Sequence, residues 1–165
     1  MTATIEIRLE RDGDRKAIRA LVASAFPSPD EADLVERLRA DGDVVYALVA
    51  CEGDIVVSHI LFSRMTAPFQ ALGLAPVSTA AASRRRGIAA QLIEAGLARA
   101  RDDGWQGVFV LGDPAYYGRF GFDAALAAGF SSPHAGEHFM ALTLGESLPT
   151  LTGAVAYAPA FAALD

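Results

Sequence analysis

The sequence predicts an α/β fold whose sheet contains a parallel strand pair, on three observations. First, "GLAPVSTA" (73–80), an amphipathic stretch from residue 88, and "GVFVLG" (107–112) read as strand, helix and strand. A strand–helix–strand unit within about forty residues implies parallel strands and a right-handed crossover. Second, "TIEIRLE" alternates Ile5, Ile7 and Leu9 with charged residues, the pattern of a half-buried strand. Third, apolar residues recur at helical spacing in three separate stretches.

The elements follow in order. From Asp14 to Phe26, Ala17, Ile18, Leu21, Val22 and Ala25 share one helical face. A second helix starts at Pro29 and Asp30, aligns Leu34, Val35 and Leu38, and stops at Gly42. Two strands, "VVYALVAC" and "IVVSHILFS", are joined by the turn residues Glu52, Gly53 and Asp54. After the third strand-like run comes the clearest helix, with Ile88, Leu92, Ile93, Leu97 and Ala100 in one stripe and Gly104 as its stop. "PAYYGRFGF" reads as a short helix and turn, and "HFMALTL" and "GAVAYAP" as late strands.

At 165 residues the chain suits one domain spanning 1–165, with 52% hydrophobic and 21% charged residues. A net charge of −6 argues against general nucleic-acid affinity. No apolar run is long enough to span a membrane, and Glu6, Arg8 and Glu10 fall where a signal peptide needs apolar residues, so a cytoplasmic location is expected. The one cysteine, Cys51, lies in an apolar strand and is expected to be buried. His134 and His138 have a metal-like spacing, but Pro133 and Gly136 make a loop there and no third ligand is evident, so no metal is expected.

The stretch "SRRRGIAAQL" (83–92) carries the chemistry. Helix N-termini favour anions, yet Arg84, Arg85 and Arg86 stand there in a row. Either they are simply solvated, or an anion sits among them. A strand, a short connection and a glycine at a helix start form an anion-binding geometry, because free N–H groups converge and Gly87 permits close approach. Arginine adds charge-assisted bonds to phosphate. Neither a Gly-Lys-Ser/Thr phosphate loop nor a G-x-G-x-x-G turn is present, which disfavours nucleoside triphosphatases and dinucleotide dehydrogenases.

Arg84-x-x-Gly87-x-Ala89 resembles the Q/R-x-x-G-x-G/A signature of the GCN5-related N-acetyltransferases (GNAT), and within them a subgroup of small bacterial enzymes. The resemblance extends from "PDEADLVERLR" and "SHILFS" through "VFVLGDPAYYGRFGF" to "FMALTL" and "VAYAPAF". It implies a strongly twisted mixed sheet with helices on both faces and acetyl-coenzyme A bound where strands around Val77 and Val110 splay apart. It implies a pyrophosphate cradle over Arg84, Arg85, Arg86, Gly87, Ile88, Ala89 and Ala90, made mostly by backbone amides. Val77, Ser78 and Thr79 match the segment that pairs with the pantetheine arm, and the Val77 N–H the donor that polarises the thioester carbonyl. Tyr117 matches the tyrosine that protonates the departing thiolate. Two departures stand out: Ala81, Ala82 and Ser83 replace the usual proline, acid and aromatic, and Arg85 occupies a place where glycine is common.

The chemistry also needs a proton acceptor, because a free alkylamine is mostly protonated at neutral pH. Asp113 and Glu31 are the candidates; Asp113 equally suits a helix cap and Glu31 a helix start. His59, in an apolar strand, reads as a hydrogen-bonded core residue, and Tyr116 as either pocket lining or core. The expected reaction is acetyl transfer to the primary amine of a small molecule or peptide. The alternative is a coenzyme A-binding module without transfer activity, a sensor or assembly partner, which the missing loop acid favours. Relatives of this kind often form homodimers, and the late strands offer a contact.

Overall fold

The structure is a computed structural model and describes residues 4–164. Among the described residues eight strands form: β1 (Ile5–Leu9), β2 (Val44–Glu52), β3 (Ile55–Arg64), β4 (Ala71–Thr79), β5 (Gly107–Leu111), β6 (Phe130–Ser131), β7 (Phe139–Thr143) and β8 (Gly153–Ala154). The helices are α1 (Arg15–Ala25), α2 (Asp30–Asp41), α3 (Ile88–Asp102), α4 (Pro114–Tyr117) and α5 (Ala124–Ala127). Six strands make one sheet in the order β1-β2-β3-β4-β5-β7, and β6 pairs with β8 separately. The expected parallel pair is β4 with β5; the ladders of β1 with β2 and of β5 with β7 are antiparallel.

The chain divides into two compact units, residues 1–62, 75–96 and 159–165, and residues 63–74 and 97–158. In the first, β1 pairs with β2 from Ile5↔Glu52 to Leu9↔Leu48. Helix α1 buries Ile18, Leu21 and Val22, and α2 buries Ala32, Leu34, Val35 and Leu38, as their spacing requires. Gly42 ends α2 in the left-handed conformation (φ 75°), its N–H returning to Leu38 and Arg39 carbonyls.

Strand β3 shows why helices cover both faces of this unit. Its even residues Ile60 and Phe62 lie against Gly96 of α3, where a β-carbon would collide with the Phe62 ring. The odd residue His59 points the opposite way, to Glu10, which Arg39 of α2 also holds. Strand alternation thus delivers apolar bulk to one layer and an imidazole to the other.

The second unit is built on aromatics. Phe109 of β5 stacks on Phe139 of β7 (5.4 Å between centroids) and meets Phe130 edge-on (5.3 Å), with Phe69 beside both Phe109 and Phe130. The predicted late strand "GAVAYAP" does not join the main sheet as one piece. Gly153 and Ala154 pair with Phe130 and Ser131, whereas Ala156 bridges to Thr66. Gly153 has a φ of 129°, which turns the chain and divides the extended segment between two partners. The short β6 and the 3-10 segment Pro159–Leu164 carry no sequence signal strong enough to announce them.

Candidate active site

The arginine segment leaves β4 through a 3-10 turn at Ala81–Ser83 and enters α3 at Ile88. Two residues adopt the left-handed conformation, Arg85 (φ 65°) and Gly87 (φ 74°). Glycine takes that conformation freely, whereas a side chain there costs about 1–2 kcal/mol. The requirement explains why glycine is common at the place that Arg85 occupies, and strain of this kind concentrates at binding sites. A β-carbon on Gly87 would meet nothing within 4 Å, so the backbone is open to approach.

The N–H groups of Arg85, Arg86, Gly87, Ile88, Ala89 and Ala90 donate no hydrogen bond among the described residues; the first amide of this helix to find a partner is Gln91, bonded to the Gly87 carbonyl at 3.1 Å. A helix start whose donors lack caps presents its N–H groups to water or to an anion. The three arginines are not equivalent. Arg86 is held by Glu52 (Nη2 to Oε2, 2.7 Å), and Arg84 reaches only the Thr79 carbonyl at a long 3.4 Å. Arg84 and Arg85 have no carboxylate partner among the described residues.

Upstream, the Ala80 N–H bonds to the Val57 carbonyl of β3 (2.8 Å). Strand alternation therefore turns the Val77 N–H away from β3. The β4–β5 ladder covers only Ala71–Gly73 with Gly107–Phe109, so neither Val77 nor Val110 takes part in it. Ser78 and Thr79 occupy opposite faces. Thr79 Oγ1 lies 3.0 Å from Ser58 Oγ, which also donates to the Ser78 carbonyl, and the Ser78 hydroxyl is buried without a partner.

Tyr117 closes α4 in the other unit. Its ring meets Tyr116 (5.0 Å) and Phe122 (5.9 Å) edge-on and lies against Gly112, where a β-carbon would be 2.5 Å from Cε2. Burial, reinforced by Tyr116, pushes the phenol up to about 12, so it holds its proton at neutral pH. Tyr116 is half-buried and raised by the same cause, against an opposing pull from Arg119, whose guanidinium sits 4.7 Å over its ring.

The two carboxylate candidates have different surroundings. Asp113 Oδ1 accepts from the Ala115 N–H (3.0 Å), capping α4. Glu31, in the first turn of α2, keeps one carboxylate oxygen buried and unbonded. His59 is the core histidine expected: fully buried, with Nε2 3.2 Å from Glu10 Oε1. Its partner Glu10 was not legible beforehand. Burial disfavours the Glu10 carboxylate, yet the bonds from His59 and Arg39 outweigh it and hold the group at about 2. Cys51 is buried, and burial raises its thiol. No cluster of three or more metal-ligating side chains occurs among the described residues, and none of their helices is long and apolar enough to cross a membrane.

The comparison with known sequences settles the lineage. Residues 6–125 match the family described as the acetyltransferase (GNAT) domain. The chain belongs to the GNAT acetyltransferase family. It is 38% identical over 123 residues to the N-acetyltransferase YhbS of Escherichia coli K12, covering 72% of this chain and 74% of that protein. The crystal structure of E. coli YhbS in complex with CoA superposes with a TM-score of 0.92 at 33% identity, over 98% of this chain and 94% of that one. A GNAT acetyltransferase from Brucella melitensis in complex with acetyl-CoA superposes with a TM-score of 0.82 at 35% identity, over 96% and 99%. The mixed sheet with helices on both faces is thus the GNAT fold, and the chain is an enzyme of the N-acetyltransferase class.

Proposed function

We propose that this enzyme, acting as one N-acetyltransferase domain, moves the acetyl group of acetyl-CoA to a primary amine by direct attack on the thioester. The carrying observation is the run of unbonded amides from Arg85 to Ala90 at the start of a 15-residue helix, with open space at Gly87. Those amides cradle the pyrophosphate; Arg84 and Arg85 add charge, while Arg86 acts with its Glu52 partner to fix the loop. The complexes of YhbS with CoA and of the Brucella protein with acetyl-CoA support the same ligand class here.

Val77, Ser78 and Thr79 offer the strand edge to the pantetheine arm. The Val77 N–H, turned away from β3, polarises the thioester carbonyl and stabilises the tetrahedral oxyanion. Tyr117, a phenol that stays protonated at neutral pH, gives its proton to the departing thiolate. A small-molecule or peptide amine is the acceptor.

Isothermal titration with acetyl-CoA and with CoA tests the cradle. The expected result is saturable binding of both; absence of heat and of thermal stabilisation at millimolar acetyl-CoA would sink the assignment. Binding without acetylation of any amine offered would leave a coenzyme A-binding module instead.

A further inference from the structure

We propose that His138 is the base that takes the proton from the attacking amine, an assignment that rests on the transferase reading above. Its Nδ1 lies 3.1 Å from the Gly112 carbonyl oxygen. A carbonyl only accepts, so Nδ1 carries the hydrogen and donates. In the neutral ring Nε2 is then the basic nitrogen, with its lone pair free.

The His138 backbone is fixed beside the end of β5. The Gly112 N–H donates to the His138 carbonyl (2.9 Å), continuing the β5–β7 ladder one step beyond Leu111↔Phe139. Gly112 is also the residue against which the Tyr117 ring lies. One glycine therefore supports both the imidazole and the phenol, all within one compact unit.

Of the three histidines, His138 is the one with an exposed ring. His59 is buried and committed to Glu10, and the His134 ring packs against Tyr157 at 5.5 Å. The His138 side chain is 61% exposed, and the charged group near Nε2 is Glu137, with Oε1 at 3.5 Å. That carboxylate belongs to an exposed side chain. On the segment that follows Gly112 the titratable groups are Asp113, Tyr116, Tyr117 and Arg119; Asp113 already caps α4, and Arg119 sits over the Tyr116 ring.

The step balances. The amine nitrogen bonds to the thioester carbon, and its surplus proton passes to Nε2 of His138. The carbon–sulfur bond then breaks, and the thiolate takes the Tyr117 proton. Solvent exchange returns the proton from His138 and reprotonates Tyr117, leaving an amide and a free thiol.

His138→Asn separates this role from a structural one, because an asparagine amide still donates to the Gly112 carbonyl but offers no base. Thiol release from acetyl-CoA is followed with a panel of spermidine, poly-L-lysine, ethanolamine and mixed amino acids, across the range in which histidine titrates. We expect H138N to bind acetyl-CoA as the wild type does, to lose about 10²-fold or more in kcat/KM, and to lose the acid limb of the pH profile. Added imidazole should restore turnover to H138A. Wild-type kcat/KM with the same acid limb in H138N would overturn the assignment. If the wild type binds no acetyl-CoA or turns over no amine, the transferase reading fails first and takes this one with it.

Discussion

Replacing Gly112 by alanine probes the packing that sets the Tyr117 phenol. Gly112 is not among the glycines with positive φ, so alanine escapes the left-handed penalty there and its effect comes through the new methyl. That methyl would stand 2.5 Å from Cε2 and 3.0 Å from Cδ2 of Tyr117. Carbon atoms rest about 3.5–4.0 Å apart, so the ring must retreat by about 1 Å. Tyr116 and Phe122 press on the ring from other sides, which makes retreat costly. Overpacking of this size costs about 1–3 kcal/mol. Calorimetry should read it as a lowered Tm, at about 2–4 °C per kcal/mol for a chain of this length. A 1 Å displacement of a proton donor costs about 10²-fold in turnover. Acetyl-CoA affinity should hold, and G112A should add nothing to the turnover loss of Y117F. Wild-type Tm and wild-type turnover in G112A would refute the packing argument.

Tyr117→Phe keeps the ring and removes the acid, so kcat should fall by about 10²-fold with Tm and acetyl-CoA binding unchanged; thiol-release kinetics beside calorimetry check this. Gly87→Ala meets no neighbour but must hold a φ of 74°, so acetyl-CoA affinity, measured by titration, should weaken about tenfold with a stability loss of about 1–2 kcal/mol. Glu10 has a carboxyl lowered from 4.5 to about 2, so its stabilisation is fully present above the ordinary value and is lost as pH falls through about 2. Glu10→Gln, which leaves the largely buried Arg39 unpaired, should cost about 3 kcal/mol near neutrality, and urea titrations should show that difference shrinking in strong acid.

Periodicity made most of the fold legible. The alternation of Ile5, Ile7 and Leu9, the stripe from Ile88 to Ala100 and the stops at Gly42 and Gly104 all correspond to elements of the structure, because secondary structure is written in the spacing of apolar residues. The late segment at 153–159 was only half legible. Its extended conformation shows in the sequence, but its partners, Phe130 and Ser131 on one side and Thr66 on the other, are chosen by contacts distant in the chain. At the site, the arginine–glycine run announced itself by placing cations at a helix end that disfavours them. Within it, the pairing of Arg86 with Glu52 could not be read, since 34 residues separate the partners.

The sequence by itself determined the alternation of β1, the stripe of α3 from Ile88 to Ala100 and the glycine stops at Gly42 and Gly104, because each depends on spacing within a turn or two. Only tertiary structure decided that Glu10 lies between Arg39 and His59, that Gly112 is a glycine because Tyr117 lies on it, and that His138 rests on the Gly112 carbonyl. The physical reason is that hydrogen bonds and ring packing act over a few ångströms of space, and the folded backbone brings residues dozens of positions apart into that range.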